Sequence, residues 1–173
     1  MRAGDRRAPG QELRLDHVAF AVWDLSKAST FWSDVMPGEY RQGDSEWNGF
    51  AFAQFAFPGG GRVEILAPGT DTTGFVVKFR RRYGEGLHHV TFVVDDLHAE
   101  VLRLRGKGQH VFGESYSDPH WMEAFINLPL HGGRVLVQLA ESDLTAEEQD
   151  RAWKRKALGA VLEEAAKKRP SEL

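Results

Sequence analysis

The chain has 173 residues, 42% of them hydrophobic and 27% charged, with a net charge of −3. That length suffices for one globular domain or two small fused modules, and so weak a charge gives no global field to recruit nucleic acid or acidic membranes. The lack of cysteine excludes disulfides, thiolate nucleophiles and cysteine metal sites, and no apolar run approaches the roughly 20 residues that span a bilayer.

Residues 1–13 are polar, include Gly4, Pro9 and Gly10, and read as a disordered N-terminus. They lack an apolar core segment, so they do not read as a secretory signal, and a soluble cytoplasmic protein is the expectation. A first module is expected over 14–68. Strand Arg14–Val22 leads through Asp24 or Ser26, the candidate N-caps, into a helix of about Ser26–Val35 that carries Ala28, Phe31 and Trp32. Pro37-Gly38 stops the helix and a strand starts at Glu39. In the following NGFAFAQFAF, Phe50 and Phe52 have one parity and Phe55 and Phe57 the other, which predicts a bulge or a change of packing face near Ala53-Gln54. Pro58–Gly61 turns the chain into a closing strand, Arg62–Ala67.

Residues 69–86 form a linker with a short helix, roughly Gly74–Arg82. Its run Lys78, Arg80, Arg81, Arg82 reads first as a solvated face and second as an anchor for an anionic substrate tail. Residues 87–141 repeat the order of the first module. Strand Leu87–Val94 precedes a helix of about Leu97–Arg105. Strands follow near His110–Phe112, at Met122–Leu128 and at Arg134–Ala140. Over 142–173, Thr145 with Glu148 three residues on forms a capping box, and one C-terminal helix running toward Arg169 is expected to pack on the body or on a second subunit.

The repetition goes deeper than element order. Leu15–Leu25 reads LDHVAFAVWDL and Leu87–Leu97 reads LHHVTFVVDDL; seven of eleven positions are identical at a constant offset. This is internal duplication. Strand alternation puts Val18, Phe20 and Val22 on one face and His17, Ala19 and Ala21 on the other, with the same division in the second copy. GRVEILA from Gly61 and GRVLVQLA from Gly133 echo each other as closing strands, with Glu64 and Gln138 opposite the apolar parity. A polar residue inside such a strand needs a partner if buried. The polar set His17, Glu64, His89 and Gln138 therefore suits a divalent metal ion; the alternative places Glu64 and Gln138 on a solvated sheet face.

A duplicated βαβββ module with strand-borne His, Glu, His and Gln resembles the vicinal oxygen chelate (glyoxalase/bleomycin resistance/dioxygenase) superfamily. LDHVAFAV, VEILAP, GEGLHHVTFVVDDL and GRVLVQLAE are similar to signatures of its methylmalonyl-CoA epimerase-like branch, over about Leu15–Glu141. The resemblance implies an α+β fold in which two tandem βαβββ modules form one cupped mixed sheet, followed here by the C-terminal helix. It implies metal ligands His17, Glu64, His89 and Gln138, with His88 as the neighbour of His89 that has the other parity. The Gln and Glu of the two closing strands are exchanged relative to the epimerases, and their additional carboxylate on the third strand of module one falls near Ala53 or Gln54.

The chemistry so implied is metal-dependent epimerase, isomerase or lyase action, through enolate stabilisation, on a small oxygen-chelating substrate such as an acyl-CoA, a hemithioacetal or a keto-cyclitol. Glu64 is the base candidate, and His120, Glu123 and His131 are candidates for a second proton carrier. The donor set accepts Mg, Mn, Fe, Co, Ni or Zn. No nucleic-acid or membrane partner is expected, and a homodimer is implied by resemblance. The competing readings are an extradiol-type iron dioxygenase and a metal-free binding or drug-resistance protein whose cleft is lined by Trp47, Trp121 and the Phe50–Phe57 aromatics.

Overall fold

The computed structural model describes residues 13–129, 134–153 and 156–168. The expected disordered N-terminus, apart from Leu13, and the candidate His131 lie outside the described residues. The elements are β1 (Leu13–Ala21), α1 (Leu25–Thr30) with a π-helical turn (Phe31–Val35), β2 (Glu39–Trp47), β3 (Phe50–Ala56), β4 (Arg62–Pro68), α2 (Phe75–Tyr83), β5 (Gly86–Val94), α3 (Leu97–Gly106), β6 (Val111–Ser115), β7 (Met122–Asn127), β8 (Leu136–Glu141), α4 (Ala146–Trp153) and α5 (Leu158–Lys168). The duplicated aspartates perform the same local task twice. Asp24 accepts from the Lys27 N–H at 2.9 Å and Asp96 from the Ala99 N–H at 2.8 Å, each capping the helix that follows its strand.

All eight strands form one mixed sheet in the order β2-β3-β4-β1-β5-β8-β7-β6. Each module supplies four neighbouring strands, and the modules meet where β1 pairs antiparallel with β5. β1–β4 and β5–β8 are parallel, as a strand–helix crossover requires. The cup therefore closes within a single chain.

The outer face holds two apolar clusters. In the first, α1 and α5 cover Ala51, Ala53, Phe55, Val63 and Ile65; in the second, α3 covers Val94, Val111, Ala124 and Leu139. Complete burial of Phe55 and Ile65 contributes about 1.5–3 kcal/mol each. The inner face carries the polar row, and α2 covers its end over Ala19, Ala21 and Leu66.

One expectation is decided between its two alternatives and one is corrected. β3 pairs with β4 in continuous register from Phe50 to Ala56, so of the two alternatives at Ala53-Gln54 the strand takes the change of packing face; the extra residue opposite Gln54 and Phe55 is Arg41, on β2. Phe50, Phe52 and Gln54 line the inner cavity while Phe55 joins the outer core, so the aromatic residues occupy both faces of an unbroken strand. The C-terminal segment is two helices rather than one. Gln149 and Trp153 of α4 line the inner cavity, whereas Val161 and Ala165 of α5 pack on the outer face of module one. One straight helix cannot cover both sides of a sheet. The expected capping box is present: Glu148 accepts from the Thr145 N–H and hydroxyl at 2.8 and 2.7 Å.

Candidate active site

The inner face encloses a cavity of about 710 Å³. Strand register builds its polar floor. Gln42, Gln54 and Glu64 are cross-strand partners on β2, β3 and β4, Glu64 stands beside Ala19, and Ala19 stands beside His89. In the adjoining row His17 pairs with Thr91, Thr91 with Gln138, and Gln138 with Phe125. The two histidines come from corresponding places in the two modules and meet across the β1–β5 seam.

His17 Nε2 lies 3.6 Å from Glu64 Oε2, His89 Nε2 lies 3.7 Å from the same oxygen, and the two nitrogens are 3.4 Å apart. A point equidistant from these three atoms is about 2.1 Å from each, the usual bond length of a divalent ion to imidazole nitrogen or carboxylate oxygen. The donor set and spacing thus fit a metal ion. The Gln138 carboxamide oxygen accepts from Thr91 Oγ1 at 2.6 Å, and that hydroxyl is 2.9 Å from His17 Nε2. Gln138 therefore sits one hydroxyl away from the triangle.

Two β-bulges prepare the imidazoles. The β1–β5 register shifts between Leu15 and His17, and again between Ala19 and Phe20, so Asp16 and His88 are the extra residues. They occupy the same place in the duplicated stretch. Each turns onto the histidine after it: Asp16 Oδ2 is 2.9 Å from His17 Nδ1, and His88 Nδ1 is 2.8 Å from His89 Nδ1. Both partners engage Nδ1 and leave Nε2 to face the triangle, the arrangement that orients metal-bound imidazoles. Strand parity alone would have turned His88 away; the bulge brings it into the cavity lining, against Phe75 and Phe79 of α2.

Electrostatics separates the two histidines. Burial disfavours the His17 imidazolium, but the carboxylates of Glu64 and Asp16 outweigh it and push the group up to about 9. Burial, reinforced by the neighbouring His17 and His88, holds His89 well below the usual range and keeps it neutral. Burial also works against the Asp16 carboxylate, but the His17 hydrogen bond and charge, with Arg62 and Arg14, hold it below its ordinary value.

The carboxylates are held by amides. Gln42 Nε2 donates to Gln54 Oε1 at 2.7 Å, and Gln54 Nε2 donates to Glu64 Oε1 at 3.0 Å, leaving Oε2 for the triangle. On the other side of the cavity, Gln138 Nε2 donates to Glu123 Oε2 at 2.6 Å and the Trp121 indole also bonds this carboxylate. Burial raises Glu123 and the Glu64 charge adds to it, against those two hydrogen bonds.

The structure thus brings His17, Glu64, His89, Gln138 and Glu123 to one cavity. It does not bring His120 there. That imidazole is 50% exposed, lies outside the cavity lining, and is paired with Asp143 Oδ1 at 2.7 Å, which ties the loop before β7 to the start of the C-terminal segment. This placement gives no support to the expected role of His120 as a proton carrier. His120→Ala should leave the metal affinity and any α-proton exchange unchanged; a loss of exchange with a native melting curve would restore His120 to the chemistry. In the basic run of the linker Lys78, Arg81 and Arg82 are exposed, in keeping with a solvated face, whereas Arg80 is buried, with its guanidinium 4.1 Å from the Trp23 ring and 3.5 Å from the Glu85 carboxylate. Asp16, Thr91 and Gln149 were not expected as site residues, and Gln54 was marked only as a position near which the epimerases' additional carboxylate falls. Asp16 left a trace in the sequence as the counterpart of His88.

Residues 16–125 match the family model described as the Glyoxalase/Bleomycin resistance protein/Dioxygenase superfamily. The mitochondrial methylmalonyl-CoA epimerase of Mus musculus is 33% identical over 133 residues, 75% of this chain and 73% of the mouse protein. The crystal structure of methylmalonyl-CoA epimerase from Mycobacterium tuberculosis superposes with a TM-score of 0.65 at 29% identity, over 76% of this chain and 89% of that one. A Streptomyces coelicolor methylmalonyl-CoA epimerase variant in complex with 2-nitronate-propionyl-CoA superposes with a TM-score of 0.62 at 26% identity, over 76% of this chain and 98% of that one. With its duplicated modules, its eight-stranded cup and these likenesses, the chain belongs to the glyoxalase/bleomycin resistance protein/dioxygenase superfamily, in its methylmalonyl-CoA epimerase-like branch.

Proposed function

We propose that this chain is a divalent-metal-dependent epimerase or isomerase that moves a proton at a carbon next to a carbonyl group. The observation that carries this reading is the three-atom triangle of His17, Glu64 and His89, with a second carboxyl group, Glu123, on the same cavity. His17, Glu64 and His89 would hold the ion, and Gln138 would turn its carboxamide oxygen from Thr91 to join them. When bound, a divalent ion supplies Lewis-acid stabilisation of the negative charge that develops on substrate oxygens.

The protein's own groups do the rest. Glu64 takes the α-proton, since among the four ligands only it has a carboxylate to receive one. Glu123, raised by burial, holds a proton more readily than an exposed carboxyl and returns one to the carbon. Gln54 and Asp16 fix the directions of Glu64 and His17. Phe112, Phe125, Trp121 and Phe52 wall the cavity and limit water around the reacting carbon. Gln54→Leu and Asp16→Asn are each expected to weaken metal affinity about 10–100-fold, the usual cost of removing a group that orients a ligand. Isothermal titration would measure it, and unchanged affinity in both would refute the positioning roles.

The relatives named above make acyl-CoA thioesters the first substrates to try. The test is loss of the α-proton signal in deuterated water, followed by proton NMR on methylmalonyl-CoA and other α-carbonyl acids, with Mg, Mn, Fe, Co, Ni and Zn each supplied in turn. Metal-dependent exchange on one substrate is expected. No bound metal and no exchange across the panel would sink the reading in favour of a metal-free binding protein.

A further inference from the structure

A run of aromatic rings leads from the histidines to the mouth of the cavity. Between ring centres, His88 is 5.3 Å from Phe75, Phe75 is 5.0 Å from Phe50, Phe50 is 6.2 Å from Phe52, and Phe52 is 6.2 Å from Trp47. All of these rings line the cavity, and two of them are open to solvent: Trp47 is 46% exposed and Phe75 45%. Single apolar side chains at a surface are ordinary, but large exposed rings continuous with a cavity mark a ligand groove.

Local structure holds these two rings in place. β2 carries one extra residue between Asp44, which pairs with Phe52, and Trp47, which pairs with Phe50. This bulge reverses the parity of the strand, so Asp44 and Trp47 both line the cavity although they are three residues apart. In a regular strand Glu46 would share the face of Asp44 and Trp47 would point away. Glu46 instead accepts from the Thr70 N–H at 3.0 Å and hydroxyl at 2.7 Å, and the Gly69 N–H donates to the Gly49 carbonyl at 3.2 Å. These bonds tie the β2–β3 turn to the loop before α2, whose first residue is Phe75. The fold thus re-aims a tryptophan toward solvent at the cavity and fixes it near a second exposed ring, at a cost in exposed apolar area that packing does not repay.

Charge narrows what can occupy this rim. Arg62, beside His17 on the floor, is the one lysine or arginine among the described lining residues. Lys78, Arg81 and Arg82 of α2 lie outside the lining, whereas Asp44 and Asp118 belong to it. A polyphosphate tail meets carboxylates in this lining, while an uncharged planar ring meets aromatic partners. We infer that the substrate carries an uncharged aryl group on the side away from its chelating oxygens, and that Trp47 and Phe75 pack on this ring. The inference rests on the reading that the substrate reacts at the His17–Glu64–His89 triangle, and it narrows that reading to aryl-substituted α-carbonyl compounds.

The test compares two chelators with the same head group, acetohydroxamate and benzohydroxamate, titrated calorimetrically into the Mn-loaded full chain. Their affinities for free Mn supply the correction for the head group. After that correction the aryl probe should bind about 10–100-fold more tightly, the value of burying one aromatic ring. Trp47→Ala should reduce this preference at least about fivefold, Trp47→Phe should restore most of it, and both should bind Mn with unchanged affinity. Equal corrected affinities in the parent, or a preference that survives Trp47→Ala, overturns the inference while the metal reading stands. If the parent takes up no Mn, the metal reading falls and the rim is read without it: 2-naphthol should still bind the metal-free chain, and at least about fivefold more weakly to Trp47→Ala. Equal binding of 2-naphthol to both overturns the inference. Adenosine is the control for a nucleotide base, and Trp47-dependent binding of adenosine as tight as that of 2-naphthol also overturns it.

Discussion

His89→Ala is expected to abolish the proposed stoichiometric binding of a divalent ion and, with it, any α-proton exchange. His89 Nε2 is one corner of the triangle, 3.4 Å from His17 Nε2 and 3.7 Å from Glu64 Oε2, and among the described residues no other imidazole is placed to take its position. His88 is adjacent, but its Nδ1 is directed at His89 Nδ1 and its ring is packed against Phe75 and Phe79. Removal of a direct ligand should exceed the roughly 10–100-fold loss typical of an orienting group. The substitution also leaves His17 and Glu64 facing each other at 3.6 Å, a closed ion pair in place of an open site. The measurement is metal content by elemental analysis after purification without chelator, with isothermal titration of Mn, Co and Zn. About one ion per chain is expected for the parent and none for the variant. Equal metal content in both would remove His89 from the site.

Glu64→Gln separates binding from proton transfer. The carboxamide retains one oxygen that can ligate; with that oxygen at the triangle its nitrogen faces Gln54, whose amide can turn to present its own oxygen, so metal affinity should stay within about tenfold of the parent. The variant has no carboxylate to accept a proton, and exchange should fall about 10²–10⁴-fold, the usual contribution of a positioned general base. Glu123 does not substitute for it, because Glu123 is held above its ordinary value and bonded to Gln138 and Trp121. A loss of metal affinity as large as the loss of exchange would reduce Glu64 to a ligand alone. Unchanged exchange would transfer the base role to another group.

Much of this site was legible in the chain because it is written locally and twice. Alternation put His17 opposite Val18 and Phe20, the duplicated stretch marked His89 as its counterpart, and the echo of the closing strands marked Glu64 and Gln138. Those signals span two to eleven residues and survive without any knowledge of pairing. The capping box at Thr145 and the repeated Asp24 and Asp96 caps are legible for the same reason.

The remainder depends on which strands meet. Gln54 matters because β3 lies beside β4 and register sets it against Glu64, ten residues along the chain; Thr91 matters because it faces His17 across the seam and Gln138 across β5–β8. His120 and Glu123 looked equivalent as proton carriers, but three residues of backbone separate a loop tied to Asp143 from a strand position facing the cavity.

By itself, then, the sequence determined the duplicated α+β architecture, the polar quartet and the caps, because periodicity and local hydrogen bonding act over a few residues. Tertiary structure alone decided the bulges that turn Asp16 and His88 onto the two imidazoles, the amide chain from Gln42 to Glu64, and the placement of α4 that sets Trp153 against Trp121. Each of these joins groups on different elements, and their contact is set by register and packing, which no single stretch of the chain encodes.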